Sequence, residues 1–280
     1  MKDDFGPNPW HQTNWDFRAA FNFMFGSAGA GLLVTAAFSA AAGNALRAEM
    51  LLGMALIGAG LISVWFEIGR PLRALNVGFN PFTSWMTRES FAAGFVFPLG
   101  LAAAWLGSQP LAQATALAAL AFAYCQGRIL QGAKGIPAWR VPALTWLIFT
   151  SALAEGAGIY VAVTVLFGRS AGIALSYLAL ALIARAIVWS MYRSGVAKIA
   201  VRAALSKLDR AGSILIQFGT IAPLALLLVA WLVPDFARAL LALAGLAALA
   251  AGWQFKFVLI TRAAYNQGFA LPHLPVRGTR

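Results

Sequence analysis

Charge, cysteine and histidine are all scarce in this chain of 280 residues. Only 11% of the residues are charged, against about 25% in ordinary soluble domains. So few charges cannot coat a soluble protein of this length. The single cysteine, Cys125, excludes an internal disulfide and a thiolate metal cluster. The two histidines, His11 and His273, both lie in the tails, which argues against a haem b held between paired imidazoles. No metal site, haem or iron–sulfur cluster is therefore expected in this chain. The opening Met1-Lys2-Asp3-Asp4 stays polar as far as Arg18 and has no signal-peptide core, so the N-terminus is expected to be retained.

Apolar residues are abundant: 61% of the chain is hydrophobic. They recur in runs near the ~20 residues that cross a bilayer. Eight spans are predicted, at about 19–42, 48–66, 90–107, 111–130, 142–167, 171–192, 212–233 and 237–260. The runs are continuously apolar, without the alternation of a barrel strand. Lone spans in lipid must satisfy their own backbone hydrogen bonds, so each is read as a helix. The expected fold is an all-α integral membrane protein, a bundle of eight transmembrane helices forming one domain over 1–280. Residues 1–18 and 261–280 are its tails.

The net charge of +12 does not indicate nucleic acid. The basic residues sit between apolar spans, with no nucleic-acid-binding motif beside them. With eight spans, only Arg47, Arg169 and Arg238 fall on one side, and Arg185 falls within span six. All the other lysines and arginines, Lys256 included, are assigned to the side that carries both tails. A wrong span count would scramble this split. By the positive-inside rule, both termini and the longer loops face the cytoplasm, as in a bacterial inner-membrane protein. The opposite loops are short, so the functional surface is expected on the cytoplasmic side. There, loop 193–211 carries Arg193, Lys198, Arg202, Lys207 and Arg210. It reads as a helix held by anionic membrane lipid or as a docking surface for a soluble partner. In span one, Gly26-Ser27-Ala28-Gly29-Ala30-Gly31 allows close helix packing or the close approach of a flat ligand.

The chemistry-bearing residues cluster in loop 67–89. It reads Glu67-Ile68-Gly69-Arg70-Pro71-Leu72-Arg73, then Asn80-Pro81-Phe82-Thr83-Ser84-Trp85-Met86-Thr87-Arg88-Glu89. Glu67 ends span two and Glu89 begins span three, which places them at similar depth. Carboxylates at a membrane boundary can exchange protons. The same residues also suit an ion-pair network that fixes the loop. Within the spans, Glu155 and Arg185 form a possible proton path. The alternative is a structural pair, although ~9 Å of depth separates them at helical rise. Tyr124, Gln126, Arg128, Gln254 and Lys256 could line polar interior or interface.

Loop 67–89 resembles the signature of the NrfD-type membrane subunits, which include the polysulfide reductase and dimethyl sulfoxide reductase anchors. The matching residues are Gly69, Arg70, Pro71, Leu72, Arg73, Asn80, Pro81, Ser84, Trp85 and Arg88. The eight-span layout extends the resemblance over nearly the whole chain. The resemblance implies an anchor for an iron–sulfur subunit and a molybdopterin (molybdenum or tungsten) catalytic subunit. It implies a bound quinone, ubiquinone or menaquinone, near the face that meets the iron–sulfur partner. In the dimethyl sulfoxide reductase anchors, a histidine at the position of Glu67 and a glutamate at that of Glu89 serve quinol oxidation. Here Glu67 departs from that pattern, and glutamate titrates in a different range from histidine.

By the same resemblance, Asn14, Asp16, Arg18 and Asn22 at the start of span one are candidates for holding the quinone head. Arg70, Arg73, Ser84, Trp85 and Arg88 join them from the loop. The opening residues are similar to the membrane subunits of phenylacetyl-CoA:acceptor oxidoreductases, and sulfite-oxidising anchors are related. Two other readings stay open: a secondary transporter centred on Glu155 and Arg185, and a purely structural anchor.

Overall fold

The computed structural model describes residues 9–40, 43–67 and 76–268. Eight helical rods follow one another: α1 Phe17–Ser39, α2 Asn44–Trp65, α3 Trp85–Leu106, α4 Gln109–Gly132, α5 Ala143–Leu166, α6 Ala174–Val196, α7 Arg202–Leu232 and α8 Ala237–Thr261. Local chemistry sets several boundaries. Asp16 caps α1 by accepting from Arg18 N at 2.7 Å. Ser84 caps α3 by accepting from Thr87 N, so that helix starts at Trp85 rather than near 90. Gly107, at φ +61°, ends α3 in the left-handed conformation that glycine adopts without strain. Pro110 in the first turn of α4 sacrifices no helical hydrogen bond.

Seven of the rods are long and apolar enough to cross a membrane. The eighth, α4, is equally long but carries Gln109, Gln113, Gln126, Arg128 and Gln131. It packs against α1, α3 and α5, so its polar side chains can find partners inside the bundle. Large apolar side chains coat the outside, among them Leu101, Leu117, Leu180 and Leu228. Such an inverted surface is stable only in lipid. The fold is that of a multi-pass integral membrane protein.

α1 and α5 form the centre, with 78% and 72% of their apolar windows buried, against 28–39% for the other spanning helices. Glycine makes this possible. A Cβ at Gly31 would collide with the Ala152 carbonyl of α5, and one at Gly156 would collide with Gly31. Gly29 meets the backbone of α2 at Gly53 and Ile57 in the same way. The small-residue run of span one therefore serves close helix packing.

The described stretches that precede α1 and follow α8 meet. Gln12 N donates to Ala264 O at 2.9 Å, Asn266 N to Trp10 O at 3.1 Å, and Trp10 N to Asn266 Oδ1 at 3.0 Å. This end of the bundle is the tail face. The start of the first helix and the end of the last thus share one face.

Two features differ from the sequence expectation. α7 starts at Arg202 rather than near 212, so residues 202–211 of the basic loop, read as helical from their spacing, continue directly into the span. Arg193 at the end of α6 pairs with Asp209 across this junction, and Lys207 Nζ donates to the Tyr265 hydroxyl at 2.9 Å. α1 and α7 also each contain a π-helical segment, Asn22–Gly26 and Gln217–Ile221. A π segment releases carbonyls from the regular ladder. Asn22 O accepts from Gln126 Nε2 at 3.1 Å, and Gly219 O accepts from Arg185.

Candidate functional site

A cavity of about 370 Å³ opens at the tail face, where the start of α1, the end of α2 and the start of α3 converge. Its walls are mostly apolar and aromatic, with Trp15, Phe23, Trp65 and Met86 contributing. Its polar groups are few: Asn22 from the π segment, Glu67 just past α2, and Glu89 and Ser90 from the second turn of α3. A concave apolar chamber with a few convergent polar groups is the general form of a small-molecule site.

The Glu89 side chain is buried and set among the side chains of Gln126 and Asn22. Glu89 Oε1, Asn22 Oδ1 and Gln126 Oε1 are all buried, and none receives a hydrogen bond among the described residues. Buried acceptors without donors are rare in folded proteins. The side-chain amides of Asn22 and Gln126 face the Glu89 carboxyl, yet these three acceptor oxygens stay unpartnered. A proton on Glu89, or a hydroxyl on a ligand, would supply a donor.

Glu67 sits at the cavity mouth. Burial pushes its carboxyl above the usual glutamate range, nearby Asp16 adds to this, and Arg18 opposes it. Asp16 itself is held below the usual range, chiefly by the hydrogen bond from the Arg18 side chain. Arg18 pairs with Asp16 at 2.8 Å and donates through Nη1 to Phe66 O at 2.7 Å. The Asp16–Arg18 pair thus ties the start of α1 to the end of α2 beside Glu67.

The other candidates are placed differently. Asn14 is exposed and outside the cavity lining. Ser84 caps α3. Trp85 has guanidinium groups over its ring, Arg88 at 4.1 Å and Arg128 at 4.4 Å from the centroid. Arg88 also donates to Pro81 O at 2.8 Å and Phe82 O at 2.7 Å. These residues shape the turn before α3; their neighbours Met86, Glu89 and Ser90 line the cavity. Arg70 and Arg73, with Gly69, Pro71 and Leu72, lie outside the described residues.

In the bundle interior, the partner of Glu155 is Lys256 rather than Arg185. Lys256 Nζ is 2.7 Å from Glu155 Oε2, and both side chains are fully buried. The Ser27 hydroxyl contacts both groups. Lys256 is therefore a core residue, not one of the surface cations of the tail face. Arg185 is also fully buried and donates to Gly219 O, Ala248 O at 3.2 Å and Thr220 Oγ1. It still adds its charge to the field at Glu155. Ser27 carried no signal in the sequence, because a lone serine in a glycine run reads as packing. Near the opposite face, buried Glu49 pairs with Arg169 at 2.7 Å, a partnership between residues 120 positions apart.

No protein-family model matches the chain, and no curated protein matches it. Fold and site together define a multi-pass α-helical membrane protein with an acidic, aromatic-walled cavity at the face where α1 begins and α8 ends.

Proposed function

We propose that this chain is a quinone-reactive membrane anchor, similar to NrfD-type subunits. It transfers electrons between a membrane quinone and the iron–sulfur subunit of a cytoplasmic molybdenum or tungsten oxidoreductase. The observation that carries the reading is the tail-face cavity, where Glu67, Glu89 and Asn22 converge between aromatic walls. Its volume lies in the range of small-molecule sites, ~300–1,000 Å³. The unpartnered acceptors Glu89 Oε1 and Asn22 Oδ1 on the cavity wall suit a ligand whose ring bears hydroxyls in one redox state.

A quinone supplies two-electron, two-proton chemistry. The residues of this chain bind, orient and handle protons. Trp15, Phe23, Trp65 and Met86 exclude water and favour a flat ring. Asn22 orients the polar edge, with Gln126 bonded behind it to the Asn22 carbonyl. Glu89 holds or accepts a proton inside the cavity, and Glu67 at the mouth exchanges protons with water. Arg70 and Arg73, if they follow the family pattern, stabilise an anionic ligand or meet the partner. The tail face is the cytoplasmic face in this reading, because it carries most of the basic residues. The membrane is then the bacterial inner membrane, and a phenylacetyl-CoA or sulfite oxidase is a fitting catalytic partner.

A secondary transporter is the second reading, favoured by the buried Ser27–Glu155–Lys256–Arg185 group at the centre of the bundle. None of those residues lines the tail-face cavity. Copurification and Glu67→Gln and Glu89→Gln variants decide between them. The anchor reading expects an iron–sulfur partner and quinone turnover that falls by about 10²-fold or more in Glu89→Gln, as for loss of a general acid–base group. Normal turnover in both assembled variants would remove the proton role, and active transport without a redox partner would remove the anchor.

A further inference from the structure

A second cavity at the tail face, about 470 Å³, lies between the start of α3, the end of α4 and the connection to α5. It is lined by Trp85, Arg128, Gln131, Gly132, Lys134 and Arg140. Among the described residues no carboxylate lines it. None of Arg88, Arg128, Lys134 and Arg140 takes part in an ion pair among the described residues. Arg128 Nε is buried without a hydrogen-bond partner there. Arg140 is held in place by two donations, to Lys134 O and to Gln267 Oε1. Converging cations without a counter-charge repel one another at a boundary of low dielectric, and an anion relieves that repulsion.

The cavity also continues into an aromatic track. Trp85 packs edge-on against Tyr124 at 5.9 Å, Tyr124 lies tilted against Trp146 at 5.7 Å, and Trp146 packs edge-on against Phe149 at 5.8 Å. Trp146 is 52% exposed, and Phe149 lies further into α5, away from the tail face. The track therefore runs from the basic cavity towards the bilayer interior along the outside of the bundle. A small soluble anion would use the cations but not the track. A docked acidic protein surface would not need the cavity. A ligand with an anionic head and an apolar tail uses both.

We propose that this cavity is a binding site for an anionic phospholipid. The phosphodiester sits against Arg128, Lys134 and Arg140, and the acyl chains follow Tyr124, Trp146 and Phe149. The site is separate from the Glu67–Glu89 cavity and does not depend on the quinone reading. It also places the connection between α4 and α5 at the membrane surface.

Native mass spectrometry of the full chain in detergent tests this directly, with phosphatidylglycerol, phosphatidylcholine and glycerol 3-phosphate as probes. The expected result is one phosphatidylglycerol retained in preference to phosphatidylcholine, with no displacement by glycerol 3-phosphate. Lys134→Gln should lower that retention about fivefold, and Lys134→Gln with Arg140→Gln roughly 25-fold, from the usual contribution of a surface cation to lipid binding. The Lys134 side chain is exposed, so its variant tests the site without disturbing the fold. Equal retention of both lipids overturns the proposal. So does unchanged retention in the Lys134→Gln variant. Competition by glycerol 3-phosphate reassigns the cavity to soluble phosphates and likewise overturns it.

Discussion

Lys256 Nζ lies 2.7 Å from Glu155 Oε2, with both side chains fully enclosed by the bundle. Gly252, one turn before Lys256 on α8, makes room for this pair, since a Cβ there would collide with the Glu155 carboxylate. Breaking a buried ion pair leaves an uncompensated charge and costs about 3–5 kcal/mol. The two single variants should not be equal. Glu155→Gln leaves Lys256 and Arg185 as two buried cations, whereas Lys256→Gln leaves Glu155 in the field of Arg185. Glu155→Gln is therefore expected to lower the thermal midpoint of the detergent-solubilised protein more. The double variant should lose less than the sum of the singles. Strict additivity, read by fluorescence-detected size exclusion after heating, would contradict a direct pair.

The central helix crossing gives a second prediction. Gly31 on α1 and Gly156 on α5 approach so closely that any side chain meets backbone rather than a flexible neighbour. Gly31→Ala and Gly156→Ala should each cost on the order of 1–3 kcal/mol, the usual range for overpacking. Gly94 on α3 has open space where a Cβ would stand, so Gly94→Ala should leave the midpoint unchanged or slightly higher. Equal behaviour of all three variants would mean that the crossing is not close-packed.

These relationships separate what the sequence reveals from what it hides. The eight rods are legible because a bilayer demands uninterrupted apolar runs, and α4 is legible by length despite its glutamines. Glu67, Glu89 and Asn22 are legible as polar residues at the ends of spans, and all three line one cavity. The partner of Glu155 is not legible. Lys256 lies near the predicted end of its span, so the sequence leaves interior and interface open and counts its charge with the tail side; only the packing of α8 against α5 turns it inward. The π segments are equally silent, because no residue pattern announces the extra residue per turn that frees Asn22 O and Gly219 O. Ser84, Trp85 and Arg88 stand out as a motif; Ser84 and Arg88 hold the turn before α3, while Trp85 packs against Arg128 and Tyr124 of α4.

Glu67 and Asp16 supply a prediction in which pH acts with opposite signs. The Glu67 carboxyl lies above its ordinary range, so its ionised form is disfavoured in the folded protein. Stability from this group is fully present below the ordinary glutamate pKa and is lost as pH rises through the raised value. Asp16 lies below its ordinary range. Its contribution is present above the ordinary aspartate pKa and is lost as pH falls through the lowered value. The difference in thermal midpoint between wild type and Glu67→Gln should therefore change across the mildly acidic window above the ordinary glutamate pKa. The difference between wild type and Asp16→Asn should change only in the strongly acidic window. A flat difference curve for Glu67→Gln would show that its carboxyl is solvated and has no place in the cavity.

Trp85 has two guanidinium groups over its ring, Arg88 on its own helix and Arg128 on α4. A cation over an indole is worth ~0.5–1 kcal/mol when exposed and more when desolvated. Trp85→Ala removes both contacts and should cost about 1–2 kcal/mol on that scale, together with lost packing against Tyr124. Trp85→Phe keeps a ring but weakens its attraction for cations, so it should recover only part of the loss. Arg88 is also held by the Pro81 and Phe82 carbonyls, whereas Arg128 keeps the Tyr124 hydroxyl at 3.1 Å and lies at the edge of reach of the Tyr124 ring, 5.9 Å from its centroid. Loss of the ring should therefore free Arg128 more than Arg88. Limited proteolysis in the segment before α3 checks this. Trp85→Ala should leave cleavage there nearly unchanged if the carbonyl contacts of Arg88 hold the turn, and Arg88→Gln should raise it several-fold.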